Sequence, residues 1–233
     1  MVTGNLTRRA PTGQETSVPE HPHHDPAHHG SHFDDRAATW DGTPGKREEA
    51  AAVAGAVVDA LDLRGDERLL EYGAGTGLVA AALADHVGRV TLADASAGML
   101  AVMRAKVAEG DLPAGTRVLE LDLAHDAVPC ERFDVVVCSL VLHHLVEVPP
   151  VLGALHDLLA EGGHLAVLDL DTDPDGSFHA QVDDFHGHDG FDREQFSLWL
   201  ADAGFERVTV VDGVAVTKPD GDYPTFLATA RRA

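Results

Sequence analysis

From about residue 46 the chain switches repeatedly between two hydrophobic patterns. Residues 47–61 place alanine-rich apolar positions at helical spacing, and 77–86, 96–108, 147–160 and 192–203 repeat that pattern. Between them lie short apolar runs at 68–72, 89–93, 116–121, 133–139, 164–170, 206–212 and 225–230, which read as strands. Strands that alternate with helices predict an α/β fold built on a doubly wound, mostly parallel sheet of seven strands. The last two runs, Glu206–Val211 and Thr225–Ala230, leave no room for an intervening helix. They are expected to pair as a hairpin, which makes one strand antiparallel.

Ahead of the regular region the pattern disappears. Residues 1 to about 30 hold Pro, Gly, Thr and His with almost no large apolar side chains, so burial cannot offset their ordering entropy. A disordered tail over 1–32 is therefore expected, followed by one folded domain over 33–233. Six histidines lie between Glu20 and His32, a composition that binds transition metals at least weakly. Prolines among them break any helix that would space the ligands regularly, and no metal is assigned to the protein.

Composition mainly excludes. The 233 residues suffice for a full core, and no apolar run approaches the length of a membrane span. The first residues lack a signal peptide's apolar segment, so the expected address is cytoplasmic. Cys130 and Cys138 give no disulfide framework. Net charge is −22 with only three lysines, Lys46, Lys106 and Lys218, which leaves no basic groove for a nucleic-acid backbone.

The chemistry concentrates where two of the strands end. Leu69-Leu70-Glu71-Tyr72-Gly73-Ala74-Gly75-Thr76-Gly77-Leu78 is an apolar run ending in an acid and then three alternate glycines. Val90-Thr91-Leu92-Ala93-Asp94 ends in a second acid about 20 residues past the loop, the spacing of a ribose-binding carboxylate in a βαβ nucleotide unit. Dinucleotide sites place their last glycine where Leu78 stands, and Glu71 suits a cationic ligand better than a pyrophosphate. The set E-x-G-x-G-x-G followed by D-x-S-x-x-M-L (Asp94, Ser96, Met99, Leu100) resembles the class I S-adenosylmethionine-dependent methyltransferases, in particular their small-molecule branch with the ubiquinone and menaquinone enzymes.

The resemblance implies a Rossmann-like sheet of order 3-2-1-4-5-7-6 with strand 7 antiparallel, and S-adenosyl-L-methionine as cofactor. It implies that Gly73, Gly75 and Gly77 bring backbone to the ligand, and that Glu71 lies near the methionine ammonium. Asp94, with Ala95 beside it, takes the ribose hydroxyls, and Met99 lies near the adenine, a position that core filling would serve equally. Asp122 is implied at the adenine amino group with the Leu123 amide on the ring, although Asp126 competes for that role. Phe133-Asp134-Val135-Val136-Val137-Cys138-Ser139, running on to His143 and His144, is similar to the family's strand 4 and His-His motif. There Ser139 and Leu140 approach the methionine part, and the histidines lie at the mouth of the site. Phe33-Asp34-Asp35-Arg36-Ala37-Ala38-Thr39-Trp40-Asp41 is similar to a family opening that forms a lid, so 33–60 is read as a lid with its following helix.

Methyl transfer from a sulfonium needs alignment of the acceptor and exclusion of water, and a base only where the acceptor must lose a proton. Candidate bases are His143, His144 and, in the insertion over 171–192, His186. Phe33, Trp40, His179 and His188 are candidate contacts of a small-molecule acceptor. A metal site from His179, His186 and His188 with Asp183 or Asp184 has the right ligand types but no diagnostic spacing. Two rival functions remain at this level. One is a non-catalytic cofactor-binding, metal-responsive interaction protein. The other is an NAD(P)-dependent dehydrogenase, which lacks its final glycine and a Tyr-Lys pair. The acceptor and the oligomeric state are not legible.

Overall fold

The computed structural model describes Met1, residues 33–182 and residues 185–233. The expectations for the histidine-rich tail, and for Asp183 and Asp184 as ligands, fall outside the described residues. Nine strands form: β1 (Arg68–Tyr72), β2 (Arg89–Asp94), β3 (Arg117–Glu120), β4 (Phe133–Ser139), β5 (Leu159–Leu170), β6 (Phe205–Asp212), β7 (Val216–Lys218), β8 (Gly221–Tyr223) and β9 (Thr225–Arg232). The main α-helices are α1 (Lys46–Ala60), α2 (Leu78–Leu83), α3 (Ala97–Glu109), α4 (Val148–Leu158) and α5 (Arg193–Asp202).

Seven strands make one sheet in the order β3-β2-β1-β4-β5-β9-β6. The pairs from β3 through β5 are parallel, and β9 runs antiparallel to both β5 and β6. With β9 as the seventh sheet strand, this is the order expected. The small β7–β8 hairpin between β6 and β9 is an addition that the apolar pattern does not announce.

Alternate residues of each strand face opposite sides of the sheet, and both sides are apolar. Leu70, Val136, Cys138, Val167 and Phe226 pack with Val151, Leu152 and Leu155 of α4 and Phe196 and Leu200 of α5. Their neighbours Leu69, Val135, Val137, Ala166 and Leu227 pack with Val53 and Val57 of α1, Leu83 of α2, and Leu100 and Met103 of α3. The sheet is thus the wall between two cores. Where the chain leaves β1 for one side and β4 for the other, a crevice opens at their C-terminal ends.

The boundary between α4 and β5 departs from the sequence reading. Leu159–Gly163 was expected to finish a helix, yet α4 stops at Leu158 and β5 starts at once, Leu159 pairing with Phe133. A register shift between Phe133 and Val135 absorbs the extra residues, with Gly162 at φ +77°. The insertion over 171–192 is a loop closed at its base. Asp171 bridges to Phe191, and the Asp173 amide donates to the Asp189 carbonyl at 2.8 Å. Gly190, at φ +73°, lies so close to the Asp171 carbonyl that a Cβ would stand 1.9 Å from the oxygen. Arg193 fastens the same point by two bonds of 2.6 Å to the Asp171 carboxylate. Among the described residues, no helix is long and apolar enough to cross a membrane.

Leu70 is fully buried in the central strand, whereas Leu198 on α5 is exposed. Leu70→Ala is expected to cost about 2–5 kcal/mol in urea unfolding, and Leu198→Ala less than about 0.5 kcal/mol.

Candidate active site

The loop after β1 needs its glycines. Gly73, Gly75 and Gly77 sit at φ +68°, +56° and +79°, a region that strains other residues. Two also lack room: a Cβ on Gly73 would meet Val141 at 2.3 Å, and one on Gly77 would meet Leu92 at 2.8 Å. The turn delivers the chain into α2 while the loop lies against the segment that follows β4.

Asp94, at the end of β2, accepts the Gly75 amide at 2.7 Å and the Ser96 amide at 2.8 Å, one on each oxygen. It clamps the glycine loop to the start of α3, whose N-cap is Ser96, accepting from the Met99 amide at 3.1 Å. Ala95 is exposed beside it, and Met99 is buried. Glu71 is buried under the loop, where its carboxylate accepts the Ala80 amide of α2 at 2.9 Å. Burial pushes its pKa up to about 8, and the nearby Asp94 charge adds to the shift. Asp94 is likewise raised by burial, against the amides that it accepts.

The third acid is more open. Asp122 accepts the Ala124 amide at 3.0 Å and meets His125 Nδ1 at 2.7 Å, while Asp126 accepts the Asp122 amide at 2.8 Å. Asp126 thus braces the turn that carries Asp122. The Leu123 amide donates to the Tyr72 hydroxyl at 3.1 Å, so within the protein this donor already has an acceptor.

At the end of β4 the backbone is strained. Leu140, next to Ser139, stands at φ +56°, held by its amide donating to the Leu168 carbonyl of β5 at 2.8 Å. This bend turns the chain into Leu142–His144. His143 is buried there, its Nδ1 donating to Asp169 at 2.6 Å. Asp169, wholly buried at the end of β5, also accepts the Leu142 amide at 2.9 Å and the Leu170 amide at 2.8 Å. His143 Nε2 is buried with no partner among the described residues.

The insertion folds over this pair. The His188 amide donates to the His143 carbonyl at 2.7 Å, and a Cβ on Gly187 would stand 2.0 Å from that oxygen. His179 is buried 5.1 Å from His143 and 5.8 Å from His144 between ring centroids, and stacks on Phe185 at 3.6 Å. Burial, and then the His143 and Lys218 charges, pull its pKa down to about 4. Lys218, from β7, lies over the Phe178 ring at 3.3 Å and donates to the Phe178 carbonyl.

The lid side closes the remaining flank. Phe33 meets His144 edge-on at 5.0 Å, and Trp40 lies 6.2 Å from Phe33 under Arg36 and Lys46. Asp34 accepts the Ser96 hydroxyl at 2.5 Å and the Gly98 amide at 2.8 Å, at the start of α3. Asp41 accepts the Thr76 hydroxyl of the glycine loop and pairs with Lys106, which itself donates to the Thr76 carbonyl at 2.8 Å.

The ends of β1, β2 and β4 therefore carry Glu71, the three glycines, Asp94 and Ser139, linked by the Gly75–Asp94 bond and the Gly73–Val141 contact. Met99 lies in the first turn of α3, while His143, His144, His179 and Phe33 form a ring cluster after β4. Two candidates do not join the histidine group. His186 is exposed on the insertion, and His188 turns toward Phe191, 5.1 Å away. Sequence reading missed Asp169, Asp34, Asp41 and Lys106. The first carried a faint signal, an acid inside the apolar run Ala166–Leu170.

Residues 46–210 match the model of a family described as a methyltransferase domain. An uncharacterized methyltransferase of Mycobacterium tuberculosis is 33% identical over 117 residues, which is 50% of this chain and 57% of that protein. The demethylmenaquinone methyltransferase of Clavibacter sepedonicus is 36% identical over 108 residues, 46% of this chain and 43% of that one. The chain thus spans about half the length of these curated relatives. Phosphoethanolamine N-methyltransferase 2 of Haemonchus contortus, solved with phosphomonomethylethanolamine and S-adenosylhomocysteine, shares the fold. Its TM-score is 0.69 at 17% identity, covering 86% of this chain and 59% of that one.

The raised Glu71 pKa sets a pH dependence. Unfolded, this group releases its proton near 4.5, and folded near about 8. Between those values the folded state binds more protons, so its stability falls as pH rises. Glu71→Gln removes that dependence. The unfolding free energy of wild type minus that of Glu71→Gln is expected to drop as pH goes from about 5 to about 8 in urea titrations. A difference that stays level would contradict the burial of this carboxyl.

Proposed function

The chain belongs to the methyltransferase-domain family, and we propose that it transfers a methyl group from S-adenosylmethionine to a small-molecule acceptor. One observation carries the reading: a loop whose three glycines all stand at positive φ, fastened through Gly75 to Asp94, the acid that ends the neighbouring strand. Each Asp94 oxygen takes one backbone amide, and a carboxylate oxygen has a second lone pair with which to accept a ribose hydroxyl. Gly73 and Gly75 admit the ligand's close approach, Met99 walls the adenine side, and Asp122 supplies an acceptor for the adenine amino group. Glu71, buried beneath the loop, holds the start of α2 by accepting the Ala80 amide.

The reaction is a displacement at the methyl carbon. The acceptor's lone pair forms the new bond, the carbon–sulfur bond breaks, and its electron pair stays on sulfur. The protein contributes alignment and a dry site. Ser139 and the strained Leu140 shape the methionine end. Phe33, Phe178 and His144 form an apolar-to-polar wall beside it, suited to a small acceptor. His143 Nε2, oriented by Asp169, is the group on that side able to take a proton from an acceptor hydroxyl or thiol.

The test is calorimetric titration with S-adenosylhomocysteine, with NAD as control, on wild type and Asp94→Ala. Micromolar binding is expected for wild type only, with at least about a tenfold loss in the variant and none for NAD. Binding of NAD alone, or of neither ligand, would overturn the cofactor assignment. Transfer of labelled methyl to a metabolite extract then reads the acceptor.

A further inference from the structure

The histidines beside the crevice show a second kind of order. One ring nitrogen from each of His143, His144 and His179 lies within 4.8 Å of the others. His143 and His179 are buried, and among the described residues His143 Nε2 and His179 Nε2 have no hydrogen-bond partner, while His179 Nδ1 lies 3.7 Å from Asp189 Oδ1. We propose that His143, His144 and His179 bind one divalent transition-metal ion of the zinc class, leaving a coordination position open toward the acceptor side.

Four features favour an ion over ordinary core packing. First, three imidazoles with no carboxylate among them match zinc, cobalt or nickel and not magnesium or calcium. Second, Asp169 accepts from His143 Nδ1, which fixes the tautomer and directs Nε2 outward, the carboxylate–histidine arrangement found behind metal-bound imidazoles. Third, the ligands come from two segments that are locked together. The His188 amide on the His143 carbonyl and the contact at Gly187 hold the insertion, and with it His179, against the turn after β4. Fourth, Phe33, Phe178 and Phe185 pack edge-on or stacked around the rings, a shell that lowers the local dielectric.

A tetrahedral ion with bonds of about 2.0–2.1 Å holds its nitrogens about 3.3–3.4 Å apart. The widest of these separations therefore closes by at most about 1.5 Å on loading, within reach of side-chain rotation. The sequence reading grouped His179 with His186 and His188 instead. Those are neighbours along the chain, and the fold separates them.

For the acceptor, the consequence rests on the methyl-transfer reading. A hydroxyl or thiol entering the open position loses its proton more readily, because the ion stabilises the anion. His143 then acts as a ligand and no longer as a proton acceptor. Ion binding itself does not depend on that reading.

The test uses the full chain with His21, His23, His24, His28, His29 and His32 replaced by Asn, so that the tail cannot bind the probe. Cobalt(II) is titrated with the visible spectrum as readout, and zinc competes it out. The expected result is one ion per chain with the strong visible bands of four-coordinate cobalt. His179→Gln in that background should weaken binding at least about tenfold, and Asp169→Asn about 10–100-fold. S-adenosylhomocysteine titration of each variant checks the fold and reports separately on the cofactor site. Where a variant fails to fold, zinc-edge X-ray absorption on the tail-substituted chain decides without it: three imidazole nitrogens at about 2.0 Å support the site. Absence of a saturable ion, fewer imidazoles, or binding unchanged by His179→Gln in a folded variant would overturn it.

Discussion

Asp169 is a carboxylate with no solvent contact, at the C-terminal end of the sheet's longest strand, and three donors converge on it. Removing such a charge from water costs several kcal/mol, and only a complete set of hydrogen bonds offsets that. The donors are the amides of Leu142 and Leu170 and the His143 ring. To supply the first and third, the chain must bend sharply after β4, which is where Leu140 takes its left-handed conformation. The bend puts Val141 against Gly73, so the cofactor loop takes its shape partly from the same carboxylate. His143 in turn offers its carbonyl to His188 and so seats the insertion. One buried acid thus links the sheet, the glycine loop and the acceptor side.

The other acids at the strand ends play related parts by different means. Glu71 and Asp94 are both raised by burial, and their charges oppose each other across the loop. Each is held by backbone amides and not by a full ion pair, and with Glu71 protonated below about pH 8 the negative potential beside the loop comes from Asp94. That field suits a ligand with a positive centre and disfavours a pyrophosphate. The chain's overall charge of −22 points the same way but is a weaker argument, since it acts at longer range and is screened by salt.

What the sequence made legible was local. The glycine loop, Asp94 and the two histidines lie within a few residues of a strand end, so spacing along the chain was enough to find them. The mostly parallel sheet and its antiparallel final pair also followed from alternation and the missing helix before β9, whereas the strand order came from the family resemblance. Asp169, by contrast, acts on His143 across 26 positions, and Asp34 reaches Ser96 across 62. No periodicity encodes such pairs, because they exist only once the crossovers have brought the strand ends together. The insertion shows the same limit. Its histidines were visible, but which of them turn inward depends on how Gly187 and Gly190 allow the loop to lie against His143 and Asp171.

The segment 33–41 touches both the glycine loop and the histidine group. Within nine residues, Phe33 touches His144, Asp34 takes the Ser96 hydroxyl beside Asp94, and Asp41 takes Thr76 of the glycine loop and pairs with Lys106. A helix that merely covered apolar surface would need Phe33 and Trp40 but not these two carboxylates. Because the contacts share one short segment, whatever orders one of them lowers the entropy cost of ordering the rest. Whatever orders one end of the segment acts on the other end through it, and such coupling is reciprocal. The physical link is nine residues long, with Phe33 on His144 and Asp41 on the glycine loop and Lys106.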